Sequence, residues 1–439
     1  MHDEKHEKAL IVLIRRARDV LKANWQGNYT APSVKQYPHQ WSWDSGFITI
    51  GYSCFDEMRA KKELSSLLKA QWTNGMVPHI RYNPRYEHYF PDASFWHPLP
   101  DCAPEGVNTS CITQPPLATI GAFYFYINAV DMEEAKRFLK HLYPRLLGFH
   151  RFLYKERDPD GKELVAIVHP WESGMDDSPA WKDILMQMDI PSGITESYRR
   201  QDTLNVPAEE RPEDEIYFRY LYLAELFKKE GYRQHRVVRR SPFLVYDVLF
   251  NSLLCRANEC LIEIGRIVGE DTAELKEYLA ATRRAIEKWL WNEEAGLYFS
   301  YDARSNAQIE KPSVASFSPL FAGVPGYEQA ERLYAYIDGV CQCSLDESNS
   351  AVPSYPRCEE DFRSDRYWMG PVWANMNWIV YEGLKRYGYH HKALDIKESM
   401  LKLVSRYGFY EYFDPIKNKG CGAKDFSWTA ALTIAMCCD

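Results

Sequence analysis

The sequence predicts an all-α protein whose helices form a toroid. Apolar residues recur with the roughly 3.6-residue period of a helix in about eleven or twelve segments, and few segments alternate as a strand does. Pairs of these segments are separated by loops rich in aromatic and acidic residues, and no change of composition marks a linker. These observations favour one domain over residues 1–439, with the loops gathered at one end. Periodicity alone does not separate a closed ring from an open array.

The overall composition is that of a globular protein, with 46% hydrophobic and 26% charged residues. The net charge is −8 and no basic stripe is visible, which argues against nucleic-acid binding. No apolar run reaches the roughly 18 residues that span a bilayer, and the N-terminus lacks the apolar segment of a signal peptide. We therefore expect no nucleic-acid or membrane partner and a cytoplasmic location. The oligomeric state is left open, a homo-oligomer included.

The eleven cysteines are scattered and form no Cys-x-x-Cys pair. Cys341 and Cys343, like Cys437 and Cys438, are too closely spaced for zinc and lack suitably placed histidines. We therefore expect reduced thiols, no metal site and no cofactor.

The first half of the chain is expected to contain helices at residues 5–24, 56–71, 117–129 and 133–154. Asp56 is a plausible N-cap of the second helix, and Pro144 predicts a kink or break in the fourth. An irregular, aromatic-rich insertion lies around residues 72–113, and a long segment without periodicity is usually functional or disordered. Its aromatic content argues against disorder.

The second half is expected to continue in helices, with a second irregular insertion around residues 180–210. A turn and a short strand are predicted within residues 292–302, and a polar-aromatic loop at 366–373. The predicted helices cover residues 213–229, 242–268, 275–291, 316–321, 327–337, 374–387, 390–407 and 428–437.

Aromatic residues make up 14% of the chain, with 13 Trp and 30 Tyr. Their flat apolar faces and polar edges match the CH faces and hydroxyls of sugars, although large helical cores also use aromatics. Near the N-terminus, Trp41 and Trp43 lie beside Asp44, just before an apolar run. Asp44 is therefore either a helix N-cap or an acceptor for sugar hydroxyls, with the two Trp as stacking platforms.

Cleavage of a glycosidic bond needs one protonated carboxyl and one ionised carboxylate. The run Trp171-Glu172-Ser173-Gly174-Met175-Asp176-Asp177-Ser178-Pro179 has neither a helical nor a strand period and gathers three acids beside a Trp. It is either a solvated turn or one wall of a site. Glu411, between Tyr410 and Tyr412, is either an outward-facing acid on an edge strand or a partner for one of the three. The acids in aromatic surroundings are Asp44, Glu172, Asp176, Asp177, Asp365, Glu411 and Asp414.

Taken together, these motifs resemble glycoside hydrolase family 63. The resemblance rests on residues 37–45 (YPHQWSWDS), 172–176 (ESGMD), 410–412 (YEY) and 426–430 (FSWTA), in the family's order. It is strongest to the short enzymes that hydrolyse mannosylglycerate and glucosylglycerate. The resemblance implies an (α/α)6 barrel and a glycosidase that inverts the anomeric centre, with Asp176 as general acid and Glu411 as general base.

The resemblance also implies which residues bind substrate. A glycerate carboxylate calls for a cationic fork such as Arg211, although an Arg that opens a helix is also a common surface residue. The implied sugar pocket comprises Tyr37, Gln40, Trp41, Trp43, Asp44, Gln114 and Trp373, and the implied glycerate end comprises Tyr89, Arg211, Tyr217, Tyr367 and Trp368.

Two positions depart from the pattern that the resemblance implies. Asp177 stands where an Asn is expected, and a carboxyl there either raises the pKa of Asp176 or faces away. Asp425 stands near the place of an amide that contacts the aglycone, where a negative charge would repel glycerate.

The substrate is therefore expected to be a small α-glucoside or α-mannoside, with 2-O-glucosylglycerate or mannosylglycerate favoured. The alternatives are an α-glucosidase acting on another small glucoside, a sugar epimerase or isomerase on the same toroid, and a sugar-binding protein without catalysis. An epimerase would need an acid–base His pair, and His39, His79, His88 and His97 cluster early in the chain. The sequence does not decide glucose against mannose.

Overall fold

The computed structural model describes residues 2–86, 89–339 and 350–439, and the predicted roles of His88, Cys341 and Cys343 lie outside these ranges. The described chain is predominantly helical, as predicted. None of its helices is long and apolar enough to cross a membrane. The helices are α1 (His2–Ala23), α2 (Ser42–Ser53), α3 (Glu57–Leu68), α4 (Leu117–Ile127), α5 (Met132–Glu156), α6 (Pro179–Met186), α7 (Ser192–Ser197), α8 (Asp214–Lys229), α9 (Gln234–Arg240), α10 (Val248–Val268), α11 (Ala273–Trp289), α12 (Ser318–Ala322), α13 (Tyr327–Gly339), α14 (Ala374–Arg386), α15 (His390–Tyr407) and α16 (Ser427–Cys438).

The strands are short and all pair antiparallel within the described residues. They form the pairs β1–β2 and β5–β6, a three-stranded sheet β11-β10-β9 and a four-stranded sheet β3-β4-β7-β8. Their bounds are β1 (Gln40–Trp41), β2 (Ile80–Arg81), β3 (Ala166–Ile167), β4 (Val245–Tyr246), β5 (Trp291–Asn292), β6 (Leu297–Tyr298), β7 (Tyr301–Asp302), β8 (Ala307–Gln308), β9 (Val372–Trp373), β10 (Tyr410–Asp414) and β11 (Lys419–Lys424).

Six helices contact one another in a closed sequence. The contacts run from α2 to α4, α10, α12, α14, α16 and back to α2. Helices α1, α3, α5, α11 and α15 pack on members of this ring. The ring helices are apolar on most sides, as expected of helices covered by neighbours. In α10, for example, sixteen of twenty-one residues are buried.

The start of several ring helices is joined to a short strand. Strand β1 leads directly into α2, β9 into α14, and β4 is followed by α10 after one residue, Asp247, which caps the helix by accepting from Phe250 N–H at 3.0 Å. Strands β10 and β11 precede α16. The strands therefore fix the loops at the N-terminal ends of these helices. The motifs around residues 37–45, 366–373 and 410–412 lie in or beside those loops, whereas the motif at 171–179 precedes α6.

Several local expectations are confirmed. Helix α1 occupies the predicted segment, and Asp56 caps α3 by accepting from Arg59 N–H at 3.0 Å. The turn and strand expected near residues 292–302 are present as β5, β6 and β7. The nine cysteines within the described residues are all free thiols.

Other local expectations are wrong. Of the kink or break expected at Pro144, the break is absent. Helix α5 continues through Pro144 because its buried face, including Leu142, Tyr143 and Leu146, outweighs the roughly 3 kcal/mol that an internal proline costs. The helix expected from residue 242 begins only at Val248, after β4. The insertion around 180–210 is not wholly irregular, since it contains α6 and α7. Short helices such as these raise the number of helices above the expected eleven or twelve.

Candidate active site

A cavity lies among the loops that join the strands and helices. Twelve of the fourteen predicted site residues line it, although they come from segments spread over most of the chain. They are Tyr37, Trp41, Trp43, Asp44, Tyr89, Gln114, Asp176, Arg211, Tyr217, Tyr367, Trp368 and Glu411.

Asp176 lies in a tightly fixed turn between a 3₁₀ turn at Pro170–Glu172 and α6. Trp181 donates to the Met175 carbonyl at 2.8 Å, and Tyr220 donates to the Asp176 carbonyl at 2.6 Å. Gly174 has a φ of +78°, and a Cβ there would come within 3.0 Å of the Trp43 ring. A glycine therefore lets the acid-bearing turn approach the predicted stacking platform.

Glu172, another acid of the same turn, has a different role. It is fully buried and pairs with the Arg157 guanidinium at 2.7 and 2.8 Å. It also accepts from the backbone N–H groups of Thr113 and Val168 at 3.1 and 2.8 Å. Since its oxygens are occupied and it does not line the cavity, Glu172 anchors the turn that carries Asp176.

Glu411 lies on β10, which is the central strand of its sheet and not an edge strand. Its carboxylate is buried and faces the cavity, so the alternative of an outward-facing acid is wrong. Tyr37 O–H donates to it at 3.1 Å and Ala423 N–H at 2.9 Å, and Arg211 Nη1 lies 3.8 Å away. A Cβ on Gly422 would lie 2.6 Å from its Oε2, so this position also requires glycine.

Burial raises the pKa values of both carboxyls that face the cavity. The pKa of Asp176 rises to about 6, with Arg211 opposing the shift. The pKa of Glu411 rises to about 7, and here Arg211, Ala423 N–H and the Tyr37 hydroxyl oppose it. The two hydrogen bonds and the nearby cation limit the rise of the Glu411 pKa without cancelling it, so burial still favours the neutral form of this carboxyl. Such a pair can hold one proton near neutral pH.

Asp44 is not the N-cap of α2, because Trp41 occupies that position and the Asp44 side chain makes no cap hydrogen bond. Its Oδ1 is buried, lines the cavity and has no hydrogen-bond partner in the described residues. Trp43 Nε1 and the Tyr217 hydroxyl are also buried and unpartnered there. Buried polar atoms are normally satisfied, so these three groups are arranged for a polar ligand.

Gln114 contacts the same wall of the cavity through its side-chain amide. Its Oε1 accepts from Trp43 N–H at 3.0 Å, and its Nε2 donates to the Trp171 carbonyl at 3.4 Å. Gln114 therefore joins the start of α2 to the turn that carries Asp176.

Arg211 lines the cavity close to Glu411 and is buried, so the alternative of a surface arginine is wrong. Its Nη1 donates to the Tyr37 hydroxyl at 2.7 Å, and its guanidinium stacks 4.3 Å from the centre of the Tyr367 ring. Tyr89 packs edge-on against Trp41 at 5.4 Å. A cationic fork thus faces a cavity that is lined by aromatic rings and by several acids.

Gln40 and Trp373 do not line the cavity, unlike the other predicted residues. Gln40 is buried behind the wall, where its amide donates to Ser45 at 3.1 Å and to Glu63 at 3.0 Å. Trp373 stacks on Trp368 at 3.7 Å between ring centres. The structure therefore places both residues behind those that face the cavity.

Comparison with known proteins agrees with this geometry. A family model for the mannosylglycerate hydrolase MGH1-like glycoside hydrolase domain matches residues 37–429. The chain belongs to this glycoside hydrolase family. It is 43% identical over 424 residues to a mannosylglycerate hydrolase from Rubrobacter radiotolerans, with 96% of each chain covered. It is 32% identical over 432 residues to a glucosylglycerate hydrolase from Mycolicibacterium hassiacum, covering 96% of this chain and 97% of that one.

A solved structure of a family member is similar over almost the whole length. The family 63 mannosylglycerate hydrolase from Thermus thermophilus, in complex with Tris and D-glycerate, superposes with a TM-score of 0.89. The two are 40% identical, and the match covers 96% of this chain and 99% of that one. The resemblance inferred from the sequence motifs is therefore confirmed, and the protein is a glycoside hydrolase.

The two departures from the family pattern lie outside the cavity lining. Asp177 has a buried, unpartnered Oδ2, and burial, followed by the charge of Asp176, raises its pKa to about 8. Asp425 is exposed, so the expected repulsion of an aglycone carboxylate is not supported. Of the other acids, Asp365 pairs with Lys417 at 2.6 Å, and Asp414 accepts from the backbone of the following turn.

Several lining residues of this glycoside hydrolase were not singled out from the sequence. The segment around 201–205, within the insertion that lacks periodicity, contributes Gln201, Asp202, Leu204 and Asn205. The charge pattern of this segment does not predict that it lines a site, because Asp202 is one of many acids in the chain. Among the early histidines, His79 lines the cavity with its Nδ1 2.5 Å from Ser110 Oγ.

Proposed function

We propose that the protein is an inverting α-glycoside hydrolase that cleaves a 2-O-glycosylglycerate, glucosylglycerate or mannosylglycerate, to free sugar and glycerate. The observation that carries this proposal is one cavity that holds Asp176 and Glu411 together with the guanidinium of Arg211. Two carboxyls suit glycoside hydrolysis, and a buried cation suits the carboxylate of glycerate. The names of the relatives from Rubrobacter radiotolerans and Mycolicibacterium hassiacum support the same class of substrate.

The closed sequence of six helices, with further helices packed on it, supports an (α/α)6 barrel. We assign residues 1–439 to one catalytic domain on this barrel. The insertions around 72–113 and 180–210 supply His79, Tyr89 and Asp202 to its cavity.

In this mechanism Asp176 is the general acid. Its proton passes to the glycosidic oxygen as the bond between that oxygen and the anomeric carbon breaks, and the aglycone leaves as neutral alcohol at that oxygen. Burial raises the pKa of Asp176 to about 6, so its protonated fraction near neutral pH is larger than that of an ordinary Asp. The Tyr220–carbonyl hydrogen bond holds the backbone of the acid in place.

Glu411 is the general base. It accepts a proton from a water whose oxygen attacks the anomeric carbon from the opposite face, which inverts that centre. Inverting enzymes leave room for this water by holding the two carboxyls roughly 6.5–9.5 Å apart. The Tyr37 hydroxyl and Ala423 N–H fix the orientation of the carboxylate.

The remaining residues bind and support the substrate. Asp44, Trp43 and Gln114 form the sugar end, where unpartnered polar atoms meet aromatic faces. Arg211, with Tyr89, Tyr217, Tyr367 and Trp368, forms the glycerate end. Gln40 and Trp373 act from behind the wall by holding Ser45 and Trp368.

The test is proton NMR of the first sugar released from glucosylglycerate and from mannosylglycerate, both α-linked. We expect the β-anomer to appear first, followed by slow mutarotation. An α-anomer as first product would refute inversion. Absence of glycerate release from both compounds would refute the substrate class.

A further inference from the structure

Asp202 occupies one edge of the guanidinium that faces the aglycone end of the cavity. Its Oδ2 lies 3.3 Å from Arg211 Nε, while Arg211 Nη1 donates to the Tyr37 hydroxyl. Arg211 Nη2 has no hydrogen bond to any side chain or backbone group in the described ranges. An incoming carboxylate therefore meets a guanidinium that already carries an anion on its Nε side.

Hydrogen bonds from Arg200 and Gln36 fix the position of Asp202. Arg200 donates two hydrogen bonds to its carboxylate, of 3.0 and 2.7 Å. Gln36 Nε2 donates to its backbone carbonyl at 2.8 Å. Its side chain is only 12% exposed, so water screens its charge weakly.

Asp202 is ionised at neutral pH. Burial alone would raise its pKa, but the hydrogen bonds from Arg200 and the charges of Arg211 and Arg200 hold the pKa below its ordinary value. Arg211 thus lies 3.3 Å from the carboxylate of Asp202 and 3.8 Å from that of the proposed base Glu411, and Lys35 is a further cation of the cavity lining. Asp202 therefore offsets part of the positive charge that an anionic aglycone would meet.

We propose that Asp202 sets how strongly the aglycone site prefers an anionic over a neutral aglycone, by partly neutralising Arg211. This inference rests on the proposed function and adds a residue that determines its specificity. Removing the charge of Asp202 while keeping its shape should make the site favour a carboxylate. Asn keeps one oxygen that can accept from Arg200 Nη2 and Arg211 Nε, but its NH2 group then faces Arg200 Nε, so Asp202→Asn removes the charge together with one hydrogen bond from Arg200.

The matched control is Asp214→Asn. Asp214 accepts from the same Arg200 guanidinium at 2.8 Å, but its side chain is 77% exposed and it does not line the cavity. The control removes one negative charge from the same arginine, on the solvent side. An effect of Asp202→Asn that Asp214→Asn lacks must therefore arise inside the cavity.

The first readout is calorimetric binding of D-glycerate and of glycerol, which differ in a carboxylate against a CH₂OH group. We expect Asp202→Asn to tighten glycerate binding about fivefold, as a nearby like charge is lost, and to leave glycerol within about twofold. We expect Asp214→Asn to change neither by more than about twofold. Unchanged or weaker glycerate binding in Asp202→Asn, or an equal change for glycerol, would overturn the proposal.

The second readout is kcat/KM for glucosylglycerate relative to its neutral analogue glucosylglycerol. The ratio should rise about fivefold in Asp202→Asn and stay constant in Asp214→Asn. A purely structural role would lower both rates together and leave the ratio unchanged, which contradicts the proposal. If the unmodified enzyme hydrolyses neither glucosylglycerate nor mannosylglycerate, the proposed function fails, and the binding of glycerate and glycerol still decides the role of Asp202.

Discussion

Some buried side chains of the cavity have polar atoms without a hydrogen-bond partner in the described chain. This property separates the side chains that we propose bind substrate from those that support the fold. Asp44 Oδ1, Trp43 Nε1 and the Tyr217 hydroxyl lack partners in the described chain, whereas the oxygens of Glu172 accept several hydrogen bonds. Since an unmet buried hydrogen bond costs about 1–3 kcal/mol, a fold retains such groups where a ligand completes them. Asp176 differs from Glu172 and Asp177, its neighbours in the acidic turn, in lining the cavity.

Asp176→Asn should abolish hydrolysis, because the amide cannot donate a proton to the leaving oxygen. General acid catalysis contributes about 10²–10⁴-fold, so we expect kcat to fall by at least about 10³-fold. Single-substrate kinetics with glucosylglycerate measures this loss, and an unchanged thermal unfolding midpoint shows that the protein still folds. Activity within tenfold of the unmodified enzyme would contradict the role of Asp176.

Asp177→Asn is the matched comparison, because it alters the adjacent carboxyl. The pKa of Asp177 is raised to about 8, first by burial and then by Asp176, so this carboxyl is neutral where the enzyme works. Exchanging a neutral carboxyl for a neutral amide should leave kcat within about threefold and the pH profile within about 0.3 units. A displacement of the profile by a full unit would show that Asp177 is ionised beside the acid.

Activity should depend on pH as a bell with its maximum between about pH 6 and 7. Burial raises the pKa of Asp176 to about 6 and that of Glu411 to about 7. Below both values the pair carries two protons and has no base, and above both it carries none and has no acid. The measurement is kcat/KM against pH at constant ionic strength. An optimum below pH 5, as two ordinary carboxyls would give, would contradict the effect of burial.

Among the secondary-structure elements, long amphipathic helices were predictable and local exceptions were not. Helix α1 follows from its apolar period alone, and Asp56 follows from the preference of carboxylates for an N-cap. Glu411 did not follow, because alternation in YEYF fits an edge strand as well as a central one. Only the pairing of β10 with β9, which is distant in sequence, as well as with the adjacent β11 makes β10 a central strand and buries Glu411.

The site was predictable to a similar extent. Of the fourteen residues predicted from the motifs, twelve line one cavity, whereas Gln40 and Trp373 lie behind its wall. Sequence proximity to Trp41 could not reveal that the Gln40 side chain points to Glu63. Asp202 was missed because its partner Arg200 lies in the same aperiodic segment and its contact with Arg211 is a tertiary one.

The 3₁₀ turn and loop that carry Asp176 should depend on the buried ion pair between Glu172 and Arg157. Both side chains are at most 1% exposed. Glu172→Gln leaves the guanidinium buried without its counter-charge, so we expect a loss of about 3–5 kcal/mol in the free energy of unfolding. Equilibrium denaturation in urea measures it.

The control for this loss is Glu134→Gln at the surface. Glu134 pairs with Lys61, but its side chain is 52% exposed, so the expected change is below about 1 kcal/mol. Equal losses in the two variants would show that burial does not strengthen the dependence on Glu172.

For the molecule as a whole, closure of the helical ring determines how the two ends of the chain meet. Helices α1 and α2 both pack on α16, and α2 begins beside Asp44 whereas α16 follows the strand that carries Glu411. The contact between α2 and α16 therefore sets the position of Asp44, at the proposed sugar end, relative to Glu411, the proposed base. Gly51 lies in this contact, where a Cβ would come 2.5 Å from the Ala431 backbone.

Gly51→Ala should push these two helices apart. An alanine in a helix is intrinsically favoured by about 1 kcal/mol over glycine, but the clash is with backbone and cannot be relieved by a rotamer change. We expect a net loss of about 1–3 kcal/mol in the free energy of unfolding and a raised KM, since Asp44 shifts relative to Glu411.

Gly193→Ala in α7 is the matched control, because nothing lies within 4 Å of its Cβ position and its φ is not positive. That variant should gain up to about 1 kcal/mol with KM unchanged. Opposite signs for the two alanines in urea denaturation would support close helix contact as the origin of the loss, whereas a stabilised Gly51→Ala with normal KM would contradict the view that ring closure positions the site.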